Sequence, residues 1–418
     1  MITDPLTGFS NLFNFNLTSP FAAIGVGLYF VYETSFLWLP IILIWGGWRL
    51  WINYKQAKFI FSQKPILLEV RLPLDIVKPP QNMELFLSTL FQTGGEGTWY
   101  DRSILGKTRP WFSLELASIE GKVKFYIWSR AAWRNHIEAQ LYAQFPGIEV
   151  FEVPDYTLPM RFDPEKNILW GCEYALNKPD PFPIKTYQNK DDFSLMLLPG
   201  TPTEFQVDPI SVVLEYMSSL GPGEQAWLQI LMRAHKADRR STDRRWYNPF
   251  SWGKKADWKQ TLKQEMKKLQ DKEKRSKAEQ DALEAMERKL NKLAFETGIR
   301  ALYIAEKEHF NSTNIAGLSG SFKQYNANNF NGFKPTNTTS VDFPWQDYKN
   351  TRVNGKRRVM LDAYKRRSYF FPPYKRHHFI LNAEELATIY HFPSAAVTTP
   401  GLERIATKKA EPPVDLPI

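Results

Sequence analysis

The sequence predicts an α+β chain: an N-terminal transmembrane helix, then two β-α-β-β-α-β modules, the second with a long charged helical insert. Three observations carry that expectation. The stretch from Phe21 to Trp51 is the most apolar part of the 418 residues, and no charge falls between Ser35 and Trp48. After it, runs of period two alternate with runs of helical spacing in an order that recurs. Within the second recurrence a lysine- and glutamate-rich stretch, about residues 254–296, separates two strand-like runs.

The first element is the anchor, assigned to residues 1–55 together with a short outer segment. A spanning helix needs about 20 apolar residues, and the run reaches that length through Trp51 or by including Glu33. Membrane helices tolerate a proline such as Pro40. Phe36, Leu37, Trp38, Ile41, Ile42, Trp45, Trp48 and Trp51 are the expected anchor residues, the tryptophans lying near the two ends as in interfacial belts. No Lys or Arg precedes the run, whereas Arg49, Lys55, Lys58, Lys64 and Arg71 follow it. By the positive-inside rule the N-terminus faces out and the rest faces the cytoplasm, as a single-pass protein of the inner (cytoplasmic) membrane. The missing positive flank also argues against a cleaved signal peptide. One cysteine, Cys172, excludes an intrachain disulfide framework and a cysteine-rich metal site, and it suits a reducing compartment.

Residues 65–160 make the first module. Ile66 to Leu72 reads as a strand, and Met83, Leu87, Leu90 and Phe91 share a helix face. Trp111–Ser118 and Lys122–Trp128 alternate around Glu120-Gly121 as a hairpin. Trp133, Ile137, Leu141 and Phe145 mark a second helix, and Ile148–Val153 a last strand. That order is the ferredoxin-like one. Phe112, Leu114, Leu116, Val123, Phe125 and Ile127 form the face under the helices. The opposite face shows Trp111, Lys122, Lys124, Tyr126 and Trp128. The run "KVKFYIW" lacks the glycines and aromatic spacing of RNA-recognition domains, so this face is expected to pack on another module or a partner.

Residues 161–335 repeat the order more loosely. Asp208 and Pro209 open a helix, "EQAWLQILMRAHK" reads as a strand, and its partner appears at Gly298–Ile304. A helix follows at about Ile315–Tyr325. In the insert, Leu262, Leu269, Leu283 and Leu290 share one heptad position, with Met286 and Leu293 in the other, while Lys272–Gln280 is almost wholly polar. One projecting coiled-coil helix and a helical hairpin both fit. Ahead of the insert lies a basic loop whose Arg239, Arg240, Arg244 and Arg245 are candidate contacts for nucleic acid or anionic lipid. A solvated loop has the same composition. Residues 336–418 start as loop, pass through a basic and aromatic stretch, and end in a proline-rich tail. Asn382 caps a helix with Glu385 as its capping-box partner. Leu386, Ile389 and Tyr390 on one side of that helix form a small apolar stripe suited to docking a partner.

Catalytic motifs are weak. "DRSILGKTR" ends like a phosphate-binding loop, but Asp101 stands where the first glycine belongs and a strand follows where a helix must start. His377, His378 and His391 lie near Glu384 and Glu385 in sequence. The two glutamates suit the first turn of a helix, and no acid, base and nucleophile converge. A non-enzymatic protein without cofactor or metal is expected.

The run "FILNAEELATIYHFP", Phe379 to Pro393, resembles the segment just before the motor in membrane-bound HerA/FtsK-type ATPases of type IV secretion or conjugation type. Pro222–Arg233 and Gln140–Val150 resemble earlier parts of the same non-catalytic region. No Walker pair is present. The resemblance implies a membrane-anchored scaffold subunit of a DNA- or protein-translocation machine, with a separate HerA/FtsK-type ATPase as partner; a homo-oligomer is compatible with the sequence, which does not set the oligomeric state. The alternative is a membrane-tethered nucleic-acid-binding protein acting without a motor.

Overall fold

The computed structural model describes residues 20–74, 78–188, 208–236, 258–272, 276–341, 343, 345, 347–393 and 399–405. The chain divides into two units, Met1–Ile60 with Thr98–Lys107, and Phe61–Gly97 with Thr108–Ile418.

In the first unit, helix α1 (Pro20–Glu33) is followed across Thr34 by helix α2 (Ser35–Ser62). The Thr34 hydroxyl donates to the Phe30 carbonyl at 2.7 Å, and the Trp38 indole donates to Val31 O at 3.2 Å, so side chains bridge the break. Helix α2 is long and apolar enough to cross a membrane, and none of its described residues is buried. At 1.5 Å per residue its 28 residues span about 42 Å. It therefore outruns the expected boundary at residue 55. No Gly or Pro interrupts the chain after Trp51 until Pro65, whose ring disfavours helix at the residue before it.

The second unit is built on one ten-stranded sheet. Strand β1 (Pro65–Pro73), helix α3 (Pro80–Thr89), strands β2 (Phe112–Ile119) and β3 (Lys122–Arg130), helix α5 (Arg134–Gln144) and strand β4 (Glu149–Glu152) come first. The short helix α4 (Trp99–Ser103), which intervenes in sequence, belongs to the first unit. Strand β5 (Asn167–Leu176), helix α6 (Ser211–Ser218), strands β6 (Glu224–Ala234) and β7 (Ala294–Glu306), helix α9 (Ser312–Gly320) and strand β8 (Phe333–Thr336) repeat the order. Each set is antiparallel, β4-β1-β3-β2 and β8-β5-β7-β6, and the sets join edge to edge where β2 pairs with β6. The two expected modules thus share one sheet. Strands β5 and β8 were not legible as strands, and β8 lies inside a stretch that reads as loop.

Glu120 and Gly121, at φ 53° and 81°, make the tight β2–β3 turn in the left-handed region that such hairpins require. The face carrying Phe112, Leu114, Leu116, Phe125 and Ile127 is buried, continuous with Leu228, Ile230, Ile299 and Tyr174 of the second set. Asp208 does not cap α6 from the adjacent position. It starts a turn two residues earlier, its carboxylate accepting from Ile210 N at 3.2 Å.

The insert is two helices, α7 (Trp258–Gln270) and α8 (Lys277–Asn291), packed through Leu262, Met266, Leu283 and Met286. The polar interruption of the heptads is where the chain leaves one helix for the next, and Ser276 with Glu279 forms the capping box that starts α8. The insert does not project alone, since Ile380 and Phe182 join the same cluster. Helix α10 (Thr351–Lys365), strand β9 (Phe379–Asn382), helix α11 (Ala383–Ile389) and strand β10 (Arg404–Ile405) complete the unit, with β9 on β7 and β10 parallel to the end of β1.

Candidate functional site

The polar face of the sheet carries an ordered row. Glu69, Tyr126, Glu115, Gln229, Arg300, Glu173 and Thr336 are successive cross-strand partners on β1, β3, β2, β6, β7, β5 and β8. Side chains directly opposite on neighbouring strands are close enough to bond. Arg300 donates to Glu173 at 2.8 Å and to Gln229 at 3.1 Å, and Gln229 donates to Glu115 at 2.9 Å.

Residues 364–369, at and beyond the end of α10, cover the middle of the row, and the Tyr156 ring stacks on Tyr126. Arg367 grips Glu115 with two bonds, Nε at 2.9 Å and Nη2 at 3.0 Å, and also binds Asp155. Ser113, Tyr156 and Gln229 supply further donors to Glu115, so its oxygens are filled on all sides. Backbone carbonyls of Tyr364 and Ser368 accept from Gln229 and Arg300. Beside them the Tyr369 ring lies over Gly298, where a Cβ would come within 2.3 Å of it. The chain therefore covers its own polar face. The expected occupant, another module or a partner, is here a segment far along the same chain, with the Arg130 guanidinium against the rings of both Trp111 and Trp128 beside it.

A second cluster centres on Glu296. Arg233 donates to it at 2.6 Å and Arg109 at 3.2 Å, with His235 at 3.3 Å and His378 at 3.5 Å. Burial alone would raise the Glu296 pKa, but the His235 bond and the two guanidiniums overcome it and hold the carboxyl far below its usual range. Burial, aided by Arg233, pushes His378 down to about 4 despite its Glu296 neighbour. An unfolded histidine titrates near 6.5, so below that pH the unfolded chain takes up the proton first. The His378 contribution to stability is thus complete above about pH 6.5 and is lost as the pH falls toward 4. Urea titrations at stepped pH are expected to show that falling limb, and His378→Asn to flatten it.

The third cluster is formed by the C-terminal run. Asn382 and Glu385 make the reciprocal capping box at the start of α11. Glu385 also pairs with Lys289 at 3.1 Å, both side chains fully buried, and accepts from Ile184 N at 2.9 Å. Glu384 accepts from Thr186 and pairs with Lys292, which also pairs with Glu84 of α3. The run thereby ties the insert, the segment around Ile184 and the first set of helices together. Residues 63–404, which contain all three clusters, match the family described as Domain of unknown function (DUF8128). The chain belongs to the DUF8128 family. Among curated proteins, none matches it. The match begins just before β1 and ends within β10, so the DUF8128 domain takes in the sheet up to Arg404 and not the apolar helix.

The DUF8128 domain corrects the expected docking stripe. Leu386, Ile389 and Tyr390 are buried, at 0%, 1% and 0% exposure. Tyr390 packs edge-on against Phe125 and donates to Tyr126 O at 3.3 Å, and Phe392 meets Phe125 and Phe145. An apolar stripe on a short helix is equally an internal packing face, and here the first set of strands and helices claims it. Arg239, Arg240, Arg244 and Arg245 lie outside the described residues. His378 and His391 go to different partners. His391 bonds Asp208 at 2.5 Å and His378 faces Glu296, and among the described residues no His/Cys/Asp/Glu group is arranged to hold a metal. Of the anchor residues, Phe36, Leu37, Ile41 and Ile42 are more than half exposed on α2, Trp45 and Trp51 less so, and Trp38 and Trp48 are half-buried.

In the first unit, "DRSILGKTR" has Asp101 in a capping box with Thr98 and in an ion pair with Lys107 at 3.0 Å. The lysine that would meet a phosphate is engaged by the carboxylate standing in the glycine position. Glu115, Gln229, Arg300, Glu173 and Arg367 were missed from the sequence. For the four on strands the signal was a charged or amide side chain in the middle of a largely apolar run, as in "FSLELAS", "WLQILM" and "GIRALYI", whereas Arg367 follows the end of α10 in a basic stretch.

Proposed function

We propose that the chain is a membrane-anchored, non-enzymatic scaffold subunit of a type IV secretion-like translocation machine, docking a separate HerA/FtsK-type motor ATPase. In this reading each β-α-β-β-α-β set is a ferredoxin-like module, the strand order 4-1-3-2 in both sets being its support. The anchor is helix α2, with the N-terminus outside and the DUF8128 domain in the cytoplasm, supported by the basic residues after the apolar run. The observation that carries the scaffold reading is that six buried charged side chains on and against the sheet are spent on one another. Glu115, Arg367, Arg300, Glu173, Glu296 and Arg233 form closed ion pairs within the fold. Such groups fix a shape and leave surfaces, rather than a reactive cleft, as what the protein offers.

With the α11 stripe buried, the segment left to reach a motor is the tail beyond Ile405. The truncation that tests this is placed after Ile405, because residues 401–405 are bonded to the sheet. Leu402 bridges Val123, Val123 N donates to Gly401 O at 2.8 Å, and Arg404 and Ile405 pair with Leu72 and Pro73. Full-length protein purified from native membranes is expected to bring a Walker-type ATPase with it, and the 1–405 form to lose it while staying folded and membrane-bound. An ATPase retained undiminished, or none with the full chain, overturns the reading.

The alternative, a tethered nucleic-acid-binding protein, draws support from exposed aromatic and basic residues together. Phe343, Trp345 and Tyr348 are at least half exposed, just before Arg352, Lys356 and Arg358 on the solvent side of α10. DNA binding that weakens steeply with salt, and less steeply when those three cations are replaced by alanine, with no ATPase present, favours that alternative.

A further inference from the structure

Within the first unit, residues Thr98–Lys107 form a compact excursion packed on helix α2. The Trp99 ring stacks on Trp48 with centroids 5.8 Å apart and planes 9° from parallel. Gly106, at φ 67°, lets the backbone approach so closely that a Cβ there would lie 2.4 Å from the Lys55 carbonyl. The capping box of Thr98 and Asp101, and Lys107 N donating to Asp101 O at 2.8 Å, hold the excursion's shape. Yet Trp99, Tyr100 and Leu105 remain 59%, 55% and 41% exposed. These are costly groups to leave in water, and they cluster on one short loop.

The level at which they meet the helix is informative. Trp48 and Trp51 are the last aromatics of the apolar run, Arg49 is its first positive charge, and the Lys55 ammonium sits 4.5 Å over the Trp51 ring. A spanning helix passes from hydrocarbon to headgroups at such a level, where tryptophan, tyrosine and basic residues concentrate. Asp101 is neutralised by Lys107 at 3.0 Å, and Arg102, Lys55 and Lys58 make the surroundings basic.

We infer that Thr98–Lys107 is a second membrane contact, lying in the interfacial layer of the bilayer beside α2, with Trp99, Tyr100 and Leu105 among the lipids. The inference rests on α2 spanning the membrane. Its occupant is the lipid surface, by continuity with the apolar helix and by the charge and ring chemistry just described. Anionic lipids strengthen the contact, because basic residues near a charged surface are attracted to it.

Three variants of the full chain that each add one cysteine, Tyr100→Cys, Leu105→Cys and Ile44→Cys, are labelled with a fluorescent maleimide and placed in phosphatidylglycerol/phosphatidylcholine nanodiscs with and without brominated acyl chains. Cys172 does not compete for label, being buried with its thiol pushed up to about 12. The expected result is strong quenching by bromolipid at residue 44 and a shallower, several-fold weaker but clear quenching at 100 and 105. Quenching at 44 with none at 100 and 105 overturns the inference and leaves the loop to water, a second copy or another protein. No quenching at 44 overturns the spanning reading itself, and the inference with it.

Discussion

Replacing Arg367 by methionine is expected to cost about 3–5 kcal/mol of unfolding free energy, the usual range for breaking a buried ion pair from one side. The guanidinium is about 1% exposed and makes both bonds to Glu115, whose side chain is fully buried. Removing it strands that carboxylate in a low-dielectric layer with Tyr156, Ser113 and Gln229 as its only remaining donors among the described residues. Asp155 suffers less, since it retains partial exposure and its turn bonds to Thr157. The double variant Glu115→Gln, Arg367→Met is expected to recover most of the loss, because the fully buried carboxylate is then gone and only the part-exposed Asp155 lacks its cation. Reactivity of the buried Cys172 thiol against urea reports the unfolding of this unit. A loss below about 1 kcal/mol, typical of an exposed pair, would show that Arg367 is not buried on Glu115.

Leu386→Ala is expected to cost about 2–5 kcal/mol, the range for deleting a fully buried leucine side chain. Leu386 is 0% exposed within the core that α3 and α11 share with the first set of strands. The same substitution on a docking stripe would leave stability unchanged and weaken a partner instead. The two outcomes separate cleanly by urea titration of the purified chain. An unchanged midpoint would return this helix to the surface and restore the stripe as a docking candidate.

The residues that misled were those whose local pattern has two uses. Asn382 and Glu385 read correctly as a capping box, because the bond between them spans three residues and needs nothing else. Whether Leu386, Ile389 and Tyr390 then face a partner or the chain's own core depends on Phe125 and Phe145, more than two hundred residues earlier. The heptad gap at Lys272–Gln280 was visible, yet a break in an apolar seam fits both one long helix and a hairpin. The packing of Leu262 and Met266 with Leu283 and Met286 decides between them. The excursion at Thr98–Lys107 was seen only as a failed phosphate loop, since its aromatic stack on Trp48 joins residues that no local period connects.

By itself the sequence determined the apolar helix, the β2–β3 hairpin with its buried face, and the order of most elements. These follow from side-chain periodicity, turn chemistry and caps, which act over a few residues. Only the tertiary structure decided that the two sets fuse through β2 and β6, that Glu115, Gln229, Arg300 and Glu173 fall in one row, and that Arg367 closes over it. Register between distant strands is set by the whole pattern of burial at once. A one-residue slip would turn each of those polar side chains to the other face, into the apolar core, and no single segment contains the information that forbids it.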